Sequence, residues 1–336
     1  MQVNKPVQDT PVRWGIISTA NIGVKAVAPA LVASSNGELV AVGSRDARRA
    51  AELYAFAPKV RIYGDYESII ADPEIEAVYN PLPNSLHAEW TIKALEAGKH
   101  VLCEKPLATT VQEGASMRDA ARASNVLLME AFMYRFHPQT SWVLERIRAG
   151  AIGPVRLIRA SFSFDIRARP GNIRLQPELA GGSLMDVGCY PVNLCRAVYG
   201  TPPRTIAARV HTLSPVSVDM ATNAVLDYGE GRFALLDSSF ALPARQVAEI
   251  VGESGVITIP VPFTPGKHDV TVFTTKNGQM NEQNFASVDQ YQLEVEHFAH
   301  CIRTGQEPML SLNETLENMA TIEAIYQAAG HDWPIL

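Results

Sequence analysis

Apolar positions in the first 130 residues fall into short runs, and stretches with helical spacing separate these runs. The runs predict short buried strands at Val12–Ile17, Leu39–Val42, Val60–Tyr63, Ala77–Tyr79, Val101–Cys103 and Val126–Met129. Helices are predicted between or after these strands, at Asn21–Ala33, Asp46–Phe56, Tyr66–Ala71, Leu86–Ala97 and Val111–Ser124. Strict alternation of strands and helices is typical of a parallel, doubly wound sheet.

The pattern changes after residue 131, where the strands become longer and alternate between apolar and polar positions. These strands are predicted at Arg156–Phe164, Thr205–Leu213, Asn223–Leu226, Arg232–Ser238, Val247–Val251 and Val270–Thr275. Such alternation is typical of an antiparallel sheet with one covered face. The helices predicted in this half are too few to cover the sheet fully, and they lie at Thr140–Arg148, Ser183–Tyr199, Gln290–Arg303 and Leu312–Ala329.

Together these patterns predict an α/β chain of two domains. Residues 1–131 form a doubly wound parallel sheet of the dinucleotide-binding type. Residues 132–336 form an α+β domain with a large, open, mostly antiparallel sheet. A length of 336 residues is sufficient for two hydrophobic cores.

Composition narrows the classes of function that the chain can have. The net charge of −6 argues against binding to a nucleic-acid backbone, which requires a basic excess. The chain has no apolar run of membrane-spanning length, and its start, Met1–Pro6, lacks the apolar core of a signal peptide. No two cysteines form a CxxC pair, which is typical of a chain in the reducing cytoplasm; they are Cys103, Cys189, Cys195 and Cys301. We therefore expect a cytoplasmic protein without nucleic-acid or membrane partners.

One predicted helix carries residue types that could bind a metal ion. Glu294, His297, His300 and Cys301 have a spacing that could bring ligands to one helix face. A charged and solvated helix face is the favoured interpretation, so we expect no metal.

The segment Trp14–Gly23 predicts a strand, a tight turn and the start of a helix, which is the layout of a dinucleotide site. Ser18, Ala20 and Gly23 occupy the positions of the three glycines in a GxGxxG motif. Small residues there still allow the backbone to approach a pyrophosphate at the helix N-terminus. The alternative is a tight turn that requires small residues for packing alone.

The end of the second predicted strand bears on the choice of cofactor. An NAD site usually has an acid there, whereas this chain has Ser44 and Arg45. Serine and arginine can bind a ribose 2′-phosphate, and Arg48 and Arg49 add positive charge nearby. Asp46 follows one residue later and is expected to cap the next helix. NADP(H) is therefore the favoured cofactor, and NAD(H) is the alternative. The alternative for Arg45 is a solvent-exposed arginine at the helix start that contacts no cofactor.

The tripeptide Glu104-Lys105-Pro106 directly follows a strand that is predicted to be buried. Ligands of open α/β sheets bind at the carboxyl edge, so Lys105 is expected beside the nicotinamide. There its ammonium group can hydrogen-bond a reacting hydroxyl and help to lower the pKa of that hydroxyl. The alternative is a surface lysine that happens to follow a strand.

A second polar group lies on the predicted helix Ser183–Tyr199. Asp186, Tyr190 and Asn193 recur at i, i+4 and i+7 on an otherwise apolar helix. A nearby cation lowers the pKa of a phenol, so Tyr190 is a candidate general acid and base. The preceding Gly181-Gly182 indicates that something approaches the helix start closely. The alternative is a solvent-facing stripe.

These segments resemble the glucose–fructose oxidoreductase / inositol dehydrogenase / MocA (Gfo/Idh/MocA) family. The matching pieces are Trp14–Gly23, Pro81–His87, Glu104–Pro106 and Gly181–Asn193. The resemblance implies a Rossmann domain, a second domain with a large open sheet, and a final helix at about 312–329 that packs back on the first domain. It also implies cofactor contacts from Ser18, Thr19, Ala20, Asn21, Ile22, Ser44, Arg45, Pro81, Leu82, Asn84, His87, Glu104 and Lys105.

Tyr190 stands where the inositol dehydrogenase pattern has a histidine, which is a departure within the family. Together with Met129–Pro138 and Arg169–Leu175, it resembles the branch of dihydrodiol dehydrogenase and NADP-dependent D-xylose dehydrogenase. This likeness implies a substrate pocket formed by Tyr134, Arg135, Arg174, Asp186, Tyr190 and Asn193.

The sequence thus predicts an NADP-dependent oxidoreductase that transfers a hydride between nicotinamide and a sugar or polyol. Lys105, Tyr190 and Asp186 are the predicted catalytic residues. The alternatives are a reductase of a keto- or anhydro-sugar and a non-catalytic nucleotide-binding sensor. The resemblance also suggests that the uncovered sheet face pairs subunits in a homodimer or a higher homo-oligomer.

Overall fold

The computed structural model describes residues 10–214 and 217–332, and the chain start Met1–Pro6 lies outside this range. The described chain forms two compact units. The first comprises the described residues up to Ala108 together with Gln112–Met133 and Asp289–Thr315. The second comprises Thr109–Val111, Tyr134–Val288 and the described residues from Leu316 onward.

The first unit contains a six-stranded parallel sheet in the order β3-β2-β1-β4-β5-β6. Its strands are β1 (Val12–Ile17), β2 (Gly37–Gly43), β3 (Arg61–Tyr63), β4 (Ala77–Asn80), β5 (His100–Glu104) and β6 (Leu128–Ala131). Because β2, β1, β4 and β5 are neighbours and run in one direction, the residues that follow them meet at one edge. The predicted doubly wound Rossmann sheet is confirmed.

The second unit contains an eight-stranded sheet in the order β14-β13-β12-β11-β7-β10-β9-β8. Its strands are β7 (Val155–Ser163), β8 (Thr205–Thr212), β9 (Asp219–Gly229), β10 (Arg232–Ser239), β11 (Arg245–Gly252), β12 (Val256–Ile259), β13 (Val270–Lys276) and β14 (Gln279–Phe285). The β7–β10 pair is parallel and the other neighbours are antiparallel. The mostly antiparallel sheet is therefore confirmed, although the sequence did not predict β12 or β14.

The α-helices are α1 (Ala28–Ala33), α2 (Ala47–Leu53), α3 (Glu67–Ala71), α4 (His87–Glu96), α5 (Val111–Ala123), α6 (Pro138–Arg148), α7 (Cys189–Tyr199), α8 (Gln290–Thr304) and α9 (Leu312–Ala328). Asp46 accepts a hydrogen bond from the Arg49 amide and caps α2, as predicted. Within the described ranges, no helix is both long and apolar enough to span a membrane.

Two predicted helices begin with a π-helical turn. Gly23–Val27 precedes α1, and Leu184–Gly188 precedes α7. A π turn widens the helix by one residue, and such turns are frequent at functional sites. The helix predicted at Ser183–Tyr199 is therefore wound more loosely in the segment that carries Asp186.

The two C-terminal helices are divided between the units. In the first unit, Arg303 of α8 donates to both carboxylate oxygens of Glu76, at 2.8 and 2.9 Å. Phe298 of α8 packs against the buried Trp14, with ring centroids 5.8 Å apart. From Leu316 onward, α9 groups with the second unit, where Glu317 accepts a hydrogen bond from Arg196 at 2.5 Å.

Candidate active site

The turn after β1 is built from small residues that are partly accessible. Ser18 has a φ of 157°, a positive value that glycine adopts more easily than other residues. Its hydroxyl accepts a hydrogen bond from the Ala20 amide at 2.8 Å, and its carbonyl accepts one from the Tyr54 hydroxyl at 3.3 Å. Thr19, Ala20 and Ile22 are half-buried and Asn21 is exposed. The turn thus has glycine-like geometry at the first position of the motif although the residue is serine.

The end of β2 combines one buried and one exposed donor. Ser44 is buried, and its hydroxyl accepts a hydrogen bond from the Asp46 amide at 3.1 Å. Arg45, Arg48 and Arg49 are exposed. Asp46 caps α2, so the side chains at this strand end that can donate to a phosphate are Ser44 and the three arginines.

Lys105 follows β5 and is half-buried, and the Lys105–Pro106 peptide is cis. The preceding Glu104 accepts a hydrogen bond from the buried hydroxyl of Tyr79 at 2.6 Å. Burial, reinforced by the Glu104 carboxylate, raises the pKa of Tyr79 well above its usual value. The phenol of Tyr79 therefore stays protonated, and its hydrogen bond holds Glu104, the residue before Lys105.

Two further buried side chains hold the loop that follows Lys105. The ring nitrogens of His87 lie 2.9 Å from the Pro106 carbonyl oxygen and 2.8 Å from that of Leu82. Burial lowers the pKa of His87. The Glu130 carboxylate accepts a hydrogen bond from the Leu107 amide at 2.9 Å, and burial raises its pKa to about 8. These contacts fix the backbone on the carboxyl side of Lys105.

The first unit therefore brings the predicted cofactor residues to one sheet edge. They follow β1, β2, β4 and β5, which are adjacent strands. Their accessibility differs, because Pro81, Leu82 and His87 are buried whereas Asn84 is half-buried. The His87 ring lies between two protein carbonyls, so this residue supports the edge through the loops it joins.

In the second unit, the predicted substrate residues gather around the π turn and α7. Arg174 donates to the Asp186 carboxylate at 2.6 Å, and its guanidinium lies 5.9 Å from the Phe164 ring centre. The side chain of Asp186 is 14% exposed and that of Arg174 is 40% exposed. The ion pair therefore orients a carboxylate that remains partly accessible.

Tyr190 lies in an aromatic cluster within the second unit. Its ring centroid is 5.5 Å from Phe162, 5.5 Å from Phe263 and 5.8 Å from Tyr134. Tyr190 is buried, with 4% of its surface exposed. Rings on several sides fix the phenol plane and exclude water from around it.

Asn193 connects Tyr134 and Arg135, two further residues that were predicted to line the substrate pocket. Its side-chain oxygen accepts hydrogen bonds from the Tyr134 hydroxyl at 2.6 Å and from the Arg135 guanidinium at 3.2 Å. All three are buried, and the Asn193 amide nitrogen has no hydrogen-bond partner within the described chain. The Asn193 amide is therefore an unsatisfied donor on α7, the helix that also carries Tyr190.

Helix α8 does not bring its four possible metal ligands together into one site. Cys301 and His297 approach to 3.4 Å, but the described residues contain no group of three or more His, Cys, Asp and Glu suited to a metal. The four cysteines are buried, and no disulfide joins them in the part of the chain that the structure describes.

Sequence reasoning overlooked two features of the site. Glu130 was assigned no role of its own, although it lies within Met129–Pro138, a segment that resembles the family branch. The aromatic cluster around Tyr190 draws Phe162 and Phe263 from distant strands and loops, and no local pattern indicates that they meet.

Comparison with known proteins agrees with this geometry. Residues 12–132 match the model of an oxidoreductase family with an NAD-binding Rossmann fold, and residues 141–258 match the GFO/IDH/MocA C-terminal domain. D-xylose 1-dehydrogenase (NADP(+)) 2 of Haloferax volcanii is 40% identical over 94% of this chain and 97% of its own. Trans-1,2-dihydrobenzene-1,2-diol dehydrogenase of Xenopus laevis is 33% identical over 94% of this chain and 97% of its own.

A solved structure is also similar. The 3-ketoreductase of Actinomadura kijaniata, in complex with NADP and TDP-benzene, has a TM-score of 0.90 and 30% identity. The match covers 95% of this chain and 98% of the ketoreductase. The predicted resemblance is thereby confirmed over both domains, and this chain belongs to the Gfo/Idh/MocA family of oxidoreductases.

Proposed function

We propose that this protein is an NADP-dependent oxidoreductase that transfers a hydride between nicotinamide and a hydroxyl or carbonyl carbon of a sugar or polyol. The observation that carries the proposal is the position of Lys105 at the end of β5, on the edge where Ser18 and Ser44 also lie. The similarity to an NADP-dependent D-xylose dehydrogenase and to a dihydrodiol dehydrogenase supports the same reaction class.

The residues at this edge fit NADP(H). The turn at Ser18–Ile22 provides a small-residue surface for the pyrophosphate, and the glycine-like backbone of Ser18 supports this role. Arg45, with the buried Ser44 beside it, supplies donors for the 2′-phosphate. Pro81, Leu82 and Asn84 follow β4 and complete the cofactor side, with Lys105 at the nicotinamide end.

The protein's own residues handle the proton. The Ser18–Ile22 turn, Ser44 and Arg45 would hold NADP(H), which would supply the acceptor for a hydride from the carbinol carbon or, in the opposite direction, the hydride donor. The Tyr190 phenolate takes the hydroxyl proton as the carbonyl forms and thereby becomes the neutral phenol. Lys105 hydrogen-bonds the same oxygen and favours the phenolate through its charge. Asp186, held by Arg174, orients the substrate, and Tyr134, Arg135 and Asn193 line its pocket.

The reverse reaction is the second candidate. Similarity to dTDP-3,4-didehydro-2,6-dideoxy-alpha-D-glucose 3-reductase of Saccharopolyspora spinosa, 34% identical over 95% of this chain, favours it. In that direction Tyr190 donates its proton to the carbonyl oxygen of a keto-sugar. An assay with NADP⁺ and aldoses, and another with NADPH and keto-sugars, distinguishes the two directions; a non-catalytic sensor would bind cofactor and turn over neither.

We further propose a cytoplasmic homodimer or higher homo-oligomer. Four buried thiols without disulfides in the described chain suit a reducing compartment.

Apolar side chains on the outer face of the second sheet, Val225, Phe233 and Leu235, are each at least 40% exposed. The same face carries charged residues around a depression of about 690 Å³, among them Arg159, Asp237 and Arg245. A mixed apolar and charged face of this kind is suited to a second subunit.

The cofactor prediction concerns Arg45. Arg45→Ala should raise the Kd for NADP(H) about 10- to 100-fold, because one charge-assisted phosphate contact contributes roughly 1.5–3 kcal/mol. The Kd for NAD(H) should change little, because that cofactor lacks the phosphate. Fluorescence titration of both cofactors measures this, with Arg122→Ala on α5 as a charge-matched control. Equal affinity of the wild type for the two cofactors would contradict the assignment.

The catalytic prediction concerns Tyr190 and Lys105. Tyr190→Phe keeps the ring and removes the acidic hydroxyl, so single-turnover hydride transfer should slow about 10²- to 10⁴-fold. NADP(H) affinity should stay unchanged, because the phenol has no role in holding the phosphates. Lys105→Ala should cost at least as much, and the double variant should be little slower than either single variant. A Tyr190→Phe variant with a near-normal rate would mean that the proton moves by another route.

The assembly prediction concerns the outer sheet face. Light scattering of the wild type at micromolar concentration should give a mass of at least twice the 36.6 kDa of one chain. Leu235→Glu should lower that mass, because it introduces a charge among apolar side chains of the proposed interface. Leu242→Glu, at a similarly exposed leucine outside the strands, serves as the control. A wild type of 36.6 kDa would refute the homo-oligomer.

A further inference from the structure

Asp219, the first residue of β9, is a completely buried acid to which the proposed mechanism assigns no role. Its Oδ2 accepts hydrogen bonds from the Ser183 hydroxyl at 2.7 Å, the Leu184 amide at 2.7 Å and the Thr222 hydroxyl at 3.0 Å. Its Oδ1 accepts one from the Tyr326 hydroxyl of α9 at 2.6 Å. One carboxyl group therefore joins β9, α9 and the segment that leads into α7.

The contact with Leu184 lies at the start of the π turn that carries Asp186 and continues into the helix of Tyr190. Amides in the first turn of a helix lack acceptors within the helix, and a carboxylate there stabilises the start. Asp219 provides this capping from a different strand. The cap therefore ties the helix position to the sheet as well as satisfying an amide.

Gly182 explains how the carboxylate reaches this position. A Cβ atom at Gly182 would lie 2.2 Å from Asp219 Oδ1, which is far inside contact distance. The φ of Gly182 is 115°, a conformation that L-residues rarely adopt. The close approach that Gly181-Gly182 indicates in the sequence is thus made in part by Asp219 of the protein itself.

The groups around Asp219 are arranged for a side chain that accepts four hydrogen bonds. Burial raises its pKa, whereas the hydrogen bonds from Ser183, Tyr326, Leu184 and Thr222 lower it. The Leu184 amide can only donate, so Oδ2 must accept in either protonation state. The hydroxyl groups can reverse their direction. An asparagine could therefore place its oxygen towards Leu184 and donate from its amide to the Tyr326 oxygen.

We propose that Asp219 is a positioning residue for proton transfer: by fixing the start of the helix to β9 and α9, it places Tyr190 and Asp186 for reaction. This inference rests on the proposed role of Tyr190. It follows that Asp219 acts through the placement of the phenol, and that removing its four contacts displaces the helix start. A displacement of about 1 Å can cost about 10²-fold in rate.

The test measures kcat, the solvent deuterium isotope effect on kcat and the Kd for NADP(H) in a set of variants. Asp219→Ala should lower kcat about 10- to 100-fold and leave the Kd unchanged, because its contacts lie within the second unit. The isotope effect should rise, because a displaced phenol makes proton transfer limiting. Asp219→Asn, which can keep all four contacts, should retain kcat within about threefold.

The same substitution in a Tyr190→Phe background distinguishes positioning from general damage. If Asp219 acts through the phenol, Asp219→Ala should lower kcat less than about threefold further in that background. Ile257→Ala, which truncates a fully buried core residue of β12, is the control for lost stability and should leave kcat and the isotope effect unchanged. A full additional loss in the Tyr190→Phe background, or normal kcat in folded Asp219→Ala, would overturn the positioning role.

Failure of the proposed function gives a different result. A Tyr190→Phe single variant with near-normal kcat would refute the role of Tyr190, and the inference with it. If Asp219→Ala does not fold, Tyr326→Phe removes the Oδ1 contact, together with the hydrogen bond of the same hydroxyl to the Met185 backbone, and carries the same test. It should lower kcat about threefold to tenfold in the wild type and not at all beside Tyr190→Phe. Equal kcat in Tyr326→Phe and wild type would then overturn the inference.

Discussion

The direction and order of the strands in the first sheet are the constraint on which the candidate site depends. Because β2, β1, β4 and β5 are parallel neighbours, Ser44, Ser18, Pro81 and Lys105 follow them at one edge although they are distant in sequence. Short apolar strands that are buried on both faces favour this arrangement. Polar side chains just beyond the strand ends then provide the functional groups, because at these positions they do not disturb the packing of the hydrophobic core.

The polar residues of the candidate site must also be held in place by the side chains packed around them. The loop after Lys105 is fixed by Glu130, which accepts from the Leu107 amide, and by His87, which lies between two carbonyls. In the second unit the Asp186 carboxylate is oriented by Arg174, and rings surround the Tyr190 phenol. In the first unit, buried polar contacts hold the backbone beside the half-buried Lys105; in the second, a partly exposed ion pair and buried rings hold Asp186 and Tyr190.

Periodicity predicted the two sheets well because each has a regular pattern of burial. The parallel strands appeared as short apolar runs, and β7 to β11 appeared as alternating segments whose ends differ from the prediction by a few residues. Strand β9 is the main exception, since its prediction as Asn223–Leu226 captures only the middle of Asp219–Gly229. Strand β14 escaped prediction because its residues are largely exposed and polar, so neither face leaves an apolar signal.

Candidate site residues could be proposed from the sequence where they followed a strand or recurred on a helix face, as with Lys105, Ser44 and Tyr190, and their roles stay predictions. Asp219 and Glu130 were not predicted, because a single acid in or beside an apolar segment has no periodic signal. Its meaning depends on donors that come from distant parts of the chain, such as Ser183 for Asp219. The π turns were missed for a similar reason: a shift of the hydrogen-bond pattern leaves the residue types unchanged.

Isotope transfer from substrate to cofactor is the direct test of whether the strand edge of Lys105 and the helix of Tyr190 serve hydride transfer to NADP⁺. The protein would be incubated with NADP⁺ and a panel of sugars and polyols deuterated at every carbon, and the cofactor would be analysed by mass spectrometry. We expect NADPH that carries one deuterium from at least one sugar, and none when Lys105→Ala replaces the wild type over the same time. NADPH without deuterium, or cofactor that binds but is never reduced or oxidised with any sugar or keto-sugar, would contradict the proposed hydride transfer.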